Sequence, residues 1–287
     1  MLVFLNGKLV PEEKAVVSIF DRSFLYGDGL FETVRVFNGK PFRWKQHMQR
    51  LRQGAAFLKI KLPFSSDKLL SAALKLIAKN KMPDSVLRLV LSRGVGTPGY
   101  SPRDAKKPVL VMSLRPAPKN SPKNPAQWKL ITSSFRLPAN DPLAAFKTCN
   151  KLPQVLARAE ADAAGANEAL LLNTNGFVVE GASSNLFWIK GGMIYTAPLV
   201  AGILPGVTRQ VVFEIAARLK IPVREKNIRP KELARVDGIF LSLSSFGIVE
   251  GVSLDGKKLR KSPLTSQIAQ AYHEILNSSA CNRRAET

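Results

Sequence analysis

Lysine, carboxylate and arginine side chains are the groups with which this 287-residue chain could do chemistry. The two histidines, His47 and His273, fall in predicted helices without a second ligand at metal-binding spacing. The two cysteines cannot build a disulfide framework or a four-ligand zinc site, and no G-x-S-x-G motif marks a serine nucleophile. The main remaining possibility is lysine chemistry, in which a desolvated amine forms an imine with a carbonyl.

A glycine-rich segment at 94–99 follows a predicted strand and matches the G-x-G-x-x-G pattern of dinucleotide-binding proteins. In that fold a helix begins at the motif, so that its first amides point at the pyrophosphate. Here Pro98 and Pro102 favour a loop instead. We interpret the segment as a glycine-rich loop that could rim a site.

An imine-forming lysine can work with pyridoxal phosphate (PLP) if the protein also supplies two other groups. These are an acidic partner for the pyridine nitrogen and an anion cradle for the phosphate. The chain resembles the class IV, or fold type IV, PLP-dependent enzymes, which include D-amino-acid and branched-chain aminotransferases and 4-amino-4-deoxychorismate lyase. The resemblance rests on six motifs in family order and spacing, at 21–33, 47–51, 146–152, 167–172, 179–187 and 203–209.

The resemblance implies a role for each matching residue. Lys147 corresponds to the lysine that carries the cofactor as a Schiff base, and Glu180 to the carboxylate that faces the pyridine nitrogen. Arg50 corresponds to the phosphate-binding arginine, although helical periodicity alone predicts a surface position for it. The further cofactor contacts that the family implies fall on Leu204, Val207, Thr208, Ser244 and Ser245.

The segments between the motifs bear on the type of reaction. The segment 147–158 is more similar to the lyase and the D-amino-acid enzymes than to the branched-chain enzymes, and those at 31–36 and 92–101 are similar to the lyase. The lyase, however, has an arginine at the position of Pro98 and an asparagine near Leu243. We therefore predict a transaminase that moves an amino group between an amino acid or amine and a 2-oxo acid. The alternative is aminodeoxychorismate lyase, which serves p-aminobenzoate and folate synthesis.

Substrate contacts follow less directly from the motifs. The Arg-x-His pair that D-amino-acid enzymes use for the substrate α-carboxylate is absent from this chain. Arg35 is then the predicted carboxylate partner, with Phe31 and Tyr100 lining the substrate side. Members of the family work as homodimers whose partner chain completes the substrate pocket, so the resemblance implies a homodimer with its active site at the interface.

The elements that must position these residues alternate between strands and helices. Helices are predicted from Trp44, at 67–79, after Pro153 and at 208–219. Strands are predicted at 2–5, 16–20, 31–37, 86–92, 109–114, 128–135, 169–172, 177–179, 186–189, 193–196 and 238–245. The mixture of strands and helices predicts an α/β protein. Hairpins in both halves favour a mixed α+β arrangement over a doubly wound parallel sheet. The resemblance implies a D-amino-acid aminotransferase-like fold of two domains, with the cofactor in the cleft between them.

A proline-rich segment divides the chain. Residues 115–125 contain four prolines, which a helix or a central strand would not accommodate. We predict a smaller N-terminal α/β domain at 1–115, a linker at 116–126 and a larger PLP-binding domain at 127–287.

Composition limits the other classes of protein. A hydrophobic share of 45% and a charged share of 22% exclude global disorder. No apolar run reaches the roughly 18–20 residues needed to span a bilayer, and the N-terminus lacks a signal-peptide pattern, so a cytoplasmic protein is expected. The net charge of +22 is spread along the chain without a zinc-finger or RNP pattern, which favours a solvated basic surface over nucleic-acid binding.

Overall fold

The computed structural model describes residues 1–121 and 125–281, apart from the side chains of 279–281. The chain divides into two compact units. Unit 1 comprises Met1–Pro118, Phe146–Lys151 and the described residues from Asn277 on, and unit 2 comprises Leu152–Leu276 and the described residues between Lys119 and Ala145. Both units combine strands with helices, which confirms the prediction of a mixed α+β chain.

Unit 1 is built on a six-stranded sheet with the strand order β2-β1-β6-β5-β3-β4, in which every neighbouring pair is antiparallel. The strands are β1 (Leu2–Leu5), β2 (Lys8–Pro11), β3 (Gly29–Phe37), β4 (Lys40–Pro41), β5 (Ser85–Ser92) and β6 (Val109–Pro116). The helices are α1 (Arg22–Tyr26), α2 (Trp44–Phe57) and α3 (Ser66–Asn80).

Side chains alternate along β3, so that one face of the strand packs in the core and the opposite face presents Phe31. Leu30, Val34 and Val36 belong to the hydrophobic core, together with apolar residues of β5, α2 and α3. Gly54 of α2 lies so close to Leu30 that a Cβ there would come within 2.9 Å of Leu30 Cδ2, so this glycine lets the helix approach the strand. Because side chains alternate along a strand, Phe31 points to the opposite face.

Unit 2 is built on a nine-stranded sheet. Along the path β12-β11-β10-β13-β14-β7-β8-β9, β15 pairs with β14, and β9 also pairs with β10. The strands are β7 (Gln127–Leu137), β8 (Glu168–Asn173), β9 (Val178–Gly181), β10 (Asn185–Lys190), β11 (Met193–Thr196), β12 (Val223–Glu225), β13 (Gly238–Leu243), β14 (Gly247–Leu254) and β15 (Lys257–Lys258). The pairing of β9 with β10 places Glu180 opposite Asn185.

The remaining helices are α4 (Leu152–Ala163), α5 (Val207–Arg218), α6 (Pro230–Leu233) and α7 (Pro263–Cys281). Two buried clusters form the core of unit 2. One lies around Leu241 and Val249 in the middle of the sheet, and the other packs Ala157 and Ala161 of α4 against β8. None of the described helices has both the length and the apolar character needed to cross a bilayer.

The structure differs from the predicted elements in several places. The segment 16–20, predicted as a strand, is irregular and exposes Val16 and Ile19. Helix α5 begins one residue before the predicted start, at Val207, and β13 ends at Leu243 before a turn that contains Ser244 and Ser245.

The chain between the units also differs from the predicted linker. Pro116, its predicted first residue, is the last residue of β6 and lies opposite Ser85 of β5, while residues 122–124 lie outside the described residues. Residues 146–151, predicted in the C-terminal domain, group with unit 1 instead. The reason is backbone pairing with β3, where Leu30 and Thr148 form an isolated bridge. The domain boundaries stay a prediction.

Candidate active site

Lys147 is held against β3 by its own backbone. The Phe31 amide donates a hydrogen bond to the Lys147 carbonyl at 2.9 Å, and the Cys149 amide donates to the Gly29 carbonyl at 2.9 Å. The half-buried Lys147 side chain runs across the outward face of the strand, and its Nζ lies 4.5 Å from the centre of the Phe31 ring. The amine is thus positioned by main-chain bonds that a change of side chain would leave in place.

A second cation shares the Phe31 ring. Arg88 of β5 lies across from Thr33 in the register, and its Cζ is 3.7 Å from the ring centre. The neighbouring Cys149 thiol is partly enclosed, and burial raises its pKa. Sequence reasoning missed Arg88, because only the β3–β5 register brings it to Phe31. An amine and a guanidinium on one aromatic ring suit a substrate with a carboxylate and a second group that is a carbonyl or an amine. The carboxylate would bind the guanidinium, and the second group would lie beside the amine.

Arg50 is buried, with 8% exposure, against the surface position that periodicity alone predicted. Its Nε and Nη2 donate to the two oxygens of Glu32, at 2.9 and 2.7 Å. His47 Nδ1 lies 2.7 Å from the same carboxylate. The physical reason is that Glu32 is on the core face of β3 and a buried carboxylate needs partners, which α2 supplies from positions three residues apart.

Ionisation in this cluster follows from burial and charge. Burial by itself would raise the pKa of Glu32, but the Arg50 guanidinium and the bond from His47 lower it to about 2. Burial lowers the pKa of His47, in spite of the neighbouring Glu32 carboxylate. At neutral pH the cluster is therefore an ion pair between Glu32 and Arg50 with a neutral histidine beside it.

Glu180 of β9 is half-buried in unit 2. Its Oε2 accepts hydrogen bonds from the Leu204 amide at 3.1 Å and from Asn185 Nδ2 at 3.3 Å. Asn185 Nδ2 also donates to the Leu204 carbonyl at 2.9 Å. The residues before α5 are thereby tied to the Glu180 carboxylate, and Leu204 and Glu180 lie together.

The start of α5 offers amides suited to an anion. Gly206 is the N-cap residue and provides no side-chain cap, and Val207 and Thr208 are both buried. Uncapped amides at a helix start carry a partial positive charge. On the face of the sheet that Asn185 shares with its register partner Ser242, the buried Ser242 hydroxyl lacks a hydrogen-bond partner among the described residues. Ser244 and Ser245 are half-buried in the turn after β13.

A buried carboxylate supports the turn that follows Glu180. Glu168 is fully buried, and its Oε2 accepts from the amide and hydroxyl of Ser183, at 3.2 and 2.6 Å, and from the Ser184 hydroxyl at 3.1 Å. Both serines belong to the motif at 179–187, but the sequence indicated no function for Glu168. Its contacts show a structural role in shaping the β9–β10 turn.

The glycine-rich segment forms a loop, as predicted, and one arginine fastens it. The buried Arg22 guanidinium donates to the carbonyls of Gly99, Tyr100 and Ser101 at 2.9–3.2 Å and to Asp28 at 2.8 Å. Burial alone would raise the pKa of Asp28, but bonds from Arg93 and Arg22 lower it. Tyr100, a predicted substrate contact, is 87% exposed in this chain.

Arg35 lies farther along β3. It is four residues from Phe31, which corresponds to about 13 Å along a strand. Its Nη1 donates to the carbonyls of Val36 and Ser85, and its Nη2 lies 3.7 Å from Asp84. Its assignment as the carboxylate partner stays a prediction, and the structure offers Arg88 as a second candidate.

Each unit brings some of the predicted residues together. Unit 1 places Lys147 beside Phe31, with the unpredicted Arg88 on the same ring, and separately pairs Arg50 with Glu32. Unit 2 brings Glu180 together with Leu204 and the start of α5.

Comparison with known proteins defines the class of enzyme as an aminotransferase. The chain is 35% identical to the putative branched-chain-amino-acid aminotransferase of Methanocaldococcus jannaschii, over 96% of each chain. It is 32% identical to the D-alanine aminotransferase of Listeria monocytogenes, again over 96% of each. Residues 29–254 match the model of the family described as amino-transferase class IV. The chain belongs to this family.

Solved structures agree. The branched-chain aminotransferase of Thermoproteus uzoniensis, determined with norvaline, superposes with a TM-score of 0.88 at 31% identity, covering 96% of this chain and 95% of the other. A putative 4-amino-4-deoxychorismate lyase of Legionella pneumophila gives 0.84 at 29% identity, covering 93% and 96%. The predicted fold type IV is confirmed. The predicted aminotransferase activity is also confirmed, since the family and the relatives support it better than the lyase alternative.

Proposed function

We propose that this aminotransferase uses PLP bound at Lys147 and exchanges amino groups between aliphatic amino acids and 2-oxo acids. The observation that carries the proposal is the position of the Lys147 amine and the Arg88 guanidinium on one ring, that of Phe31. The printed names of the relatives, for D-alanine and branched-chain amino acids, support aliphatic substrates. Both the D and the L enantiomer of each amino acid are therefore tested.

The residues present fit the cofactor. Glu180 offers a carboxylate whose Oε2 is already held by two donors, which suits it to face a protonated ring nitrogen. The uncapped α5 start supplies amides for a phosphate, with the Thr208 hydroxyl beside them. The partnerless hydroxyl of Ser242, among the described residues, marks a polar position on the same face as Asn185. Leu204 would pack on the ring, and Arg50, Ser244 and Ser245 would add phosphate contacts.

When bound, PLP supplies a carbonyl carbon that takes up an amino group and a ring that accepts electrons from the substrate Cα. The protein's own groups perform the remaining tasks. The Lys147 amine, positioned by the Phe31–Lys147 backbone bond, would move a proton from the substrate Cα to the cofactor's carbonyl carbon in one half-reaction and in the reverse direction in the other. Glu180 would hold a proton on the ring nitrogen. Arg88 would bind the substrate carboxylate and so orient the Cα–H bond toward the amine.

A direct test combines product analysis with mapping of the modified lysine. Purified protein is incubated with PLP, 2-oxoglutarate and a single enantiomer of alanine, valine or leucine. The amino-acid products are then separated on a chiral column. Borohydride reduction followed by peptide mass analysis then locates the cofactor, with K147A as the control. We expect glutamate as a product and the label at Lys147. A parallel incubation contains aminodeoxychorismate in place of the amino acid. Turnover seen only there, as released pyruvate, or a label at another lysine, would refute the proposal.

We also propose that the chain works as a homodimer in the cytoplasm. Support comes from an apolar surface on unit 1, where Ile19, Phe20 and Phe24 are each more than half exposed and Tyr100 is 87% exposed. Exposed apolar surface of this kind is typical of protein interfaces. Light scattering coupled to size exclusion should give twice the chain mass, and F20D together with F24D should reduce it to the mass of one chain.

A further inference from the structure

Asn185 connects three features that the proposed function assigns to the cofactor. It is the first residue of β10 and is 5% exposed. Its Nδ2 donates both to Glu180 Oε2, at 3.3 Å, and to the Leu204 carbonyl, at 2.9 Å. One amide group therefore bridges the ring-nitrogen carboxylate and the residue expected on the ring face.

The other end of the same amide lies against the start of α5. A Cβ built on Gly206 would overlap Asn185 Oδ1 and would come within 3.2 Å of Asn185 Cγ. Gly206 has φ −67° and ψ 136°, a conformation open to every residue, so backbone strain does not require glycine here. The absence of a side chain at Gly206 is explained by contact with Asn185, which fixes the distance between β10 and the first amides of α5.

Strand register keeps Asn185 in this place. It lies opposite Glu180 on β9 and opposite Ser242 on β13, and both pairings are antiparallel. A residue paired on both sides has little freedom to move along the sheet. Its amide can therefore act as a fixed reference for the groups around it.

We infer that Asn185 is a positioning residue that sets the Glu180 carboxylate and the phosphate-binding start of α5 in one fixed arrangement. This inference rests on the proposed function, because it assigns a role toward PLP. Asn185 itself exchanges no proton and forms no bond to substrate. Its effect is on the dissociation constant of PLP and on the protonation of the bound ring's nitrogen, which Glu180 faces.

The primary measurement is the PLP dissociation constant of the full-length apoenzyme, followed by tryptophan fluorescence. N185A removes a donor to an ionised carboxylate, and such a loss corresponds to roughly a tenfold or larger weakening. The matched control is N173A, because Asn173 is also a buried asparagine of unit 2, with 2% exposure, and donates to the Ala201 carbonyl at 3.1 Å. We expect N173A to lower Tm but to leave PLP affinity within about twofold of wild type.

A pH series separates a positioning role from a general loss of stability. In N185D the new carboxylate cannot donate at pH 8 and stands beside Glu180, so PLP binding weakens. At lower pH the two carboxyl groups share a proton, which restores a donor. The ratio of the N185D constant to the wild-type constant should therefore fall as the pH is lowered, whereas the N185A ratio should stay level.

A double-mutant cycle with G206A tests the contact itself. G206A alone should displace the Asn185 amide and weaken PLP binding to a similar extent as N185A. In the N185A background the space is open, so G206A should add little. Full additivity of the two losses, or an N185A constant equal to that of wild type, would overturn the inference.

Failure of the proposed function would look different. Wild-type protein would then bind no PLP and transfer no amino group, and Asn185 would have no role toward a cofactor. The same cycle measured as Tm of the apoenzyme would still report whether Asn185 and Gly206 are in contact. A wild-type enzyme that binds PLP, with N185A unchanged in affinity and pH response, would refute only the role of Asn185.

Discussion

Replacement of Arg88 by alanine should separate substrate binding from cofactor binding. Arg88 Cζ lies 3.7 Å from the centre of the Phe31 ring, whose other cationic neighbour is Lys147 Nζ at 4.5 Å. A substrate anchored at this guanidinium by its carboxylate would therefore present its amino group to the lysine. Arg35, the alternative partner, is occupied by two backbone carbonyls and lies near Asp84.

The size of the effect follows from the bond that is lost. A hydrogen bond to a charged group contributes about 1.5–3 kcal/mol, which corresponds to a rise in the amino-acid KM of roughly 10- to 150-fold at 1.4 kcal/mol per factor of ten. The PLP dissociation constant should change by less than about twofold, because Arg88 is not among the proposed cofactor contacts. R88K should recover part of the loss, since it keeps the charge but not the two-pronged geometry.

The assay is steady-state kinetics for the amino acid and the 2-oxo acid, measured on R88A, R88K and R35A beside the wild type. Thermal unfolding of each variant shows whether the fold is retained. If R35A raises KM more than R88A does, Arg35 is the carboxylate partner and the argument from the Phe31 ring is wrong. A fall in PLP affinity equal to the rise in KM would also refute it.

Three further changes test other parts of the site. K147A should abolish turnover with little change in Tm, because the bonds to Phe31 and Gly29 come from the backbone of 147–149; residual turnover above the level of free PLP would contradict this. E180Q should keep the fold but lower kcat by roughly 10²-fold, as for loss of other central electrostatic contacts, and single-turnover kinetics would show an unchanged rate if the assignment is wrong. E32Q should be less stable than wild type at pH 7. Because the folded pKa of Glu32 is lowered to about 2, the wild-type advantage in Tm should be complete above the unfolded pKa of about 4.3 and shrink as the pH falls toward 2. An advantage independent of pH would show that the Glu32–Arg50 pair is not its source.

The limits of sequence reasoning are clearest at charged residues that become buried. Arg50 lies on a helix position that periodicity predicts as exposed, yet only 8% of it is accessible. The partner that buries it, Glu32, is eighteen residues away on a strand, and nothing local in either segment records that pairing. The family motif marked Arg50 as functional but did not indicate which side chain would hold it.

Apolar residues were predicted to lie in a strand where the structure leaves them exposed. The segment 16–20 has the β-branched and aromatic composition of a strand, but the structure leaves Val16, Ile19 and Phe20 exposed without strand pairing. Composition reports that a surface is apolar, and it does not report whether this chain or another molecule covers it.

By itself, the sequence determined the class of fold, the approximate extent of most helices and strands, and the family of the chain, whose motifs include Lys147, Glu180 and Arg50. Those properties depend on periodicity and on motifs that are contiguous in the chain. The tertiary structure alone decided that Arg88 meets the Phe31 ring, that Glu32 holds Arg50, and that Asn185 joins Glu180 to the start of α5. Such contacts arise from strand register and helix packing between distant segments, and a shift of one residue in a strand would turn Arg88 or Asn185 to the other face of its sheet.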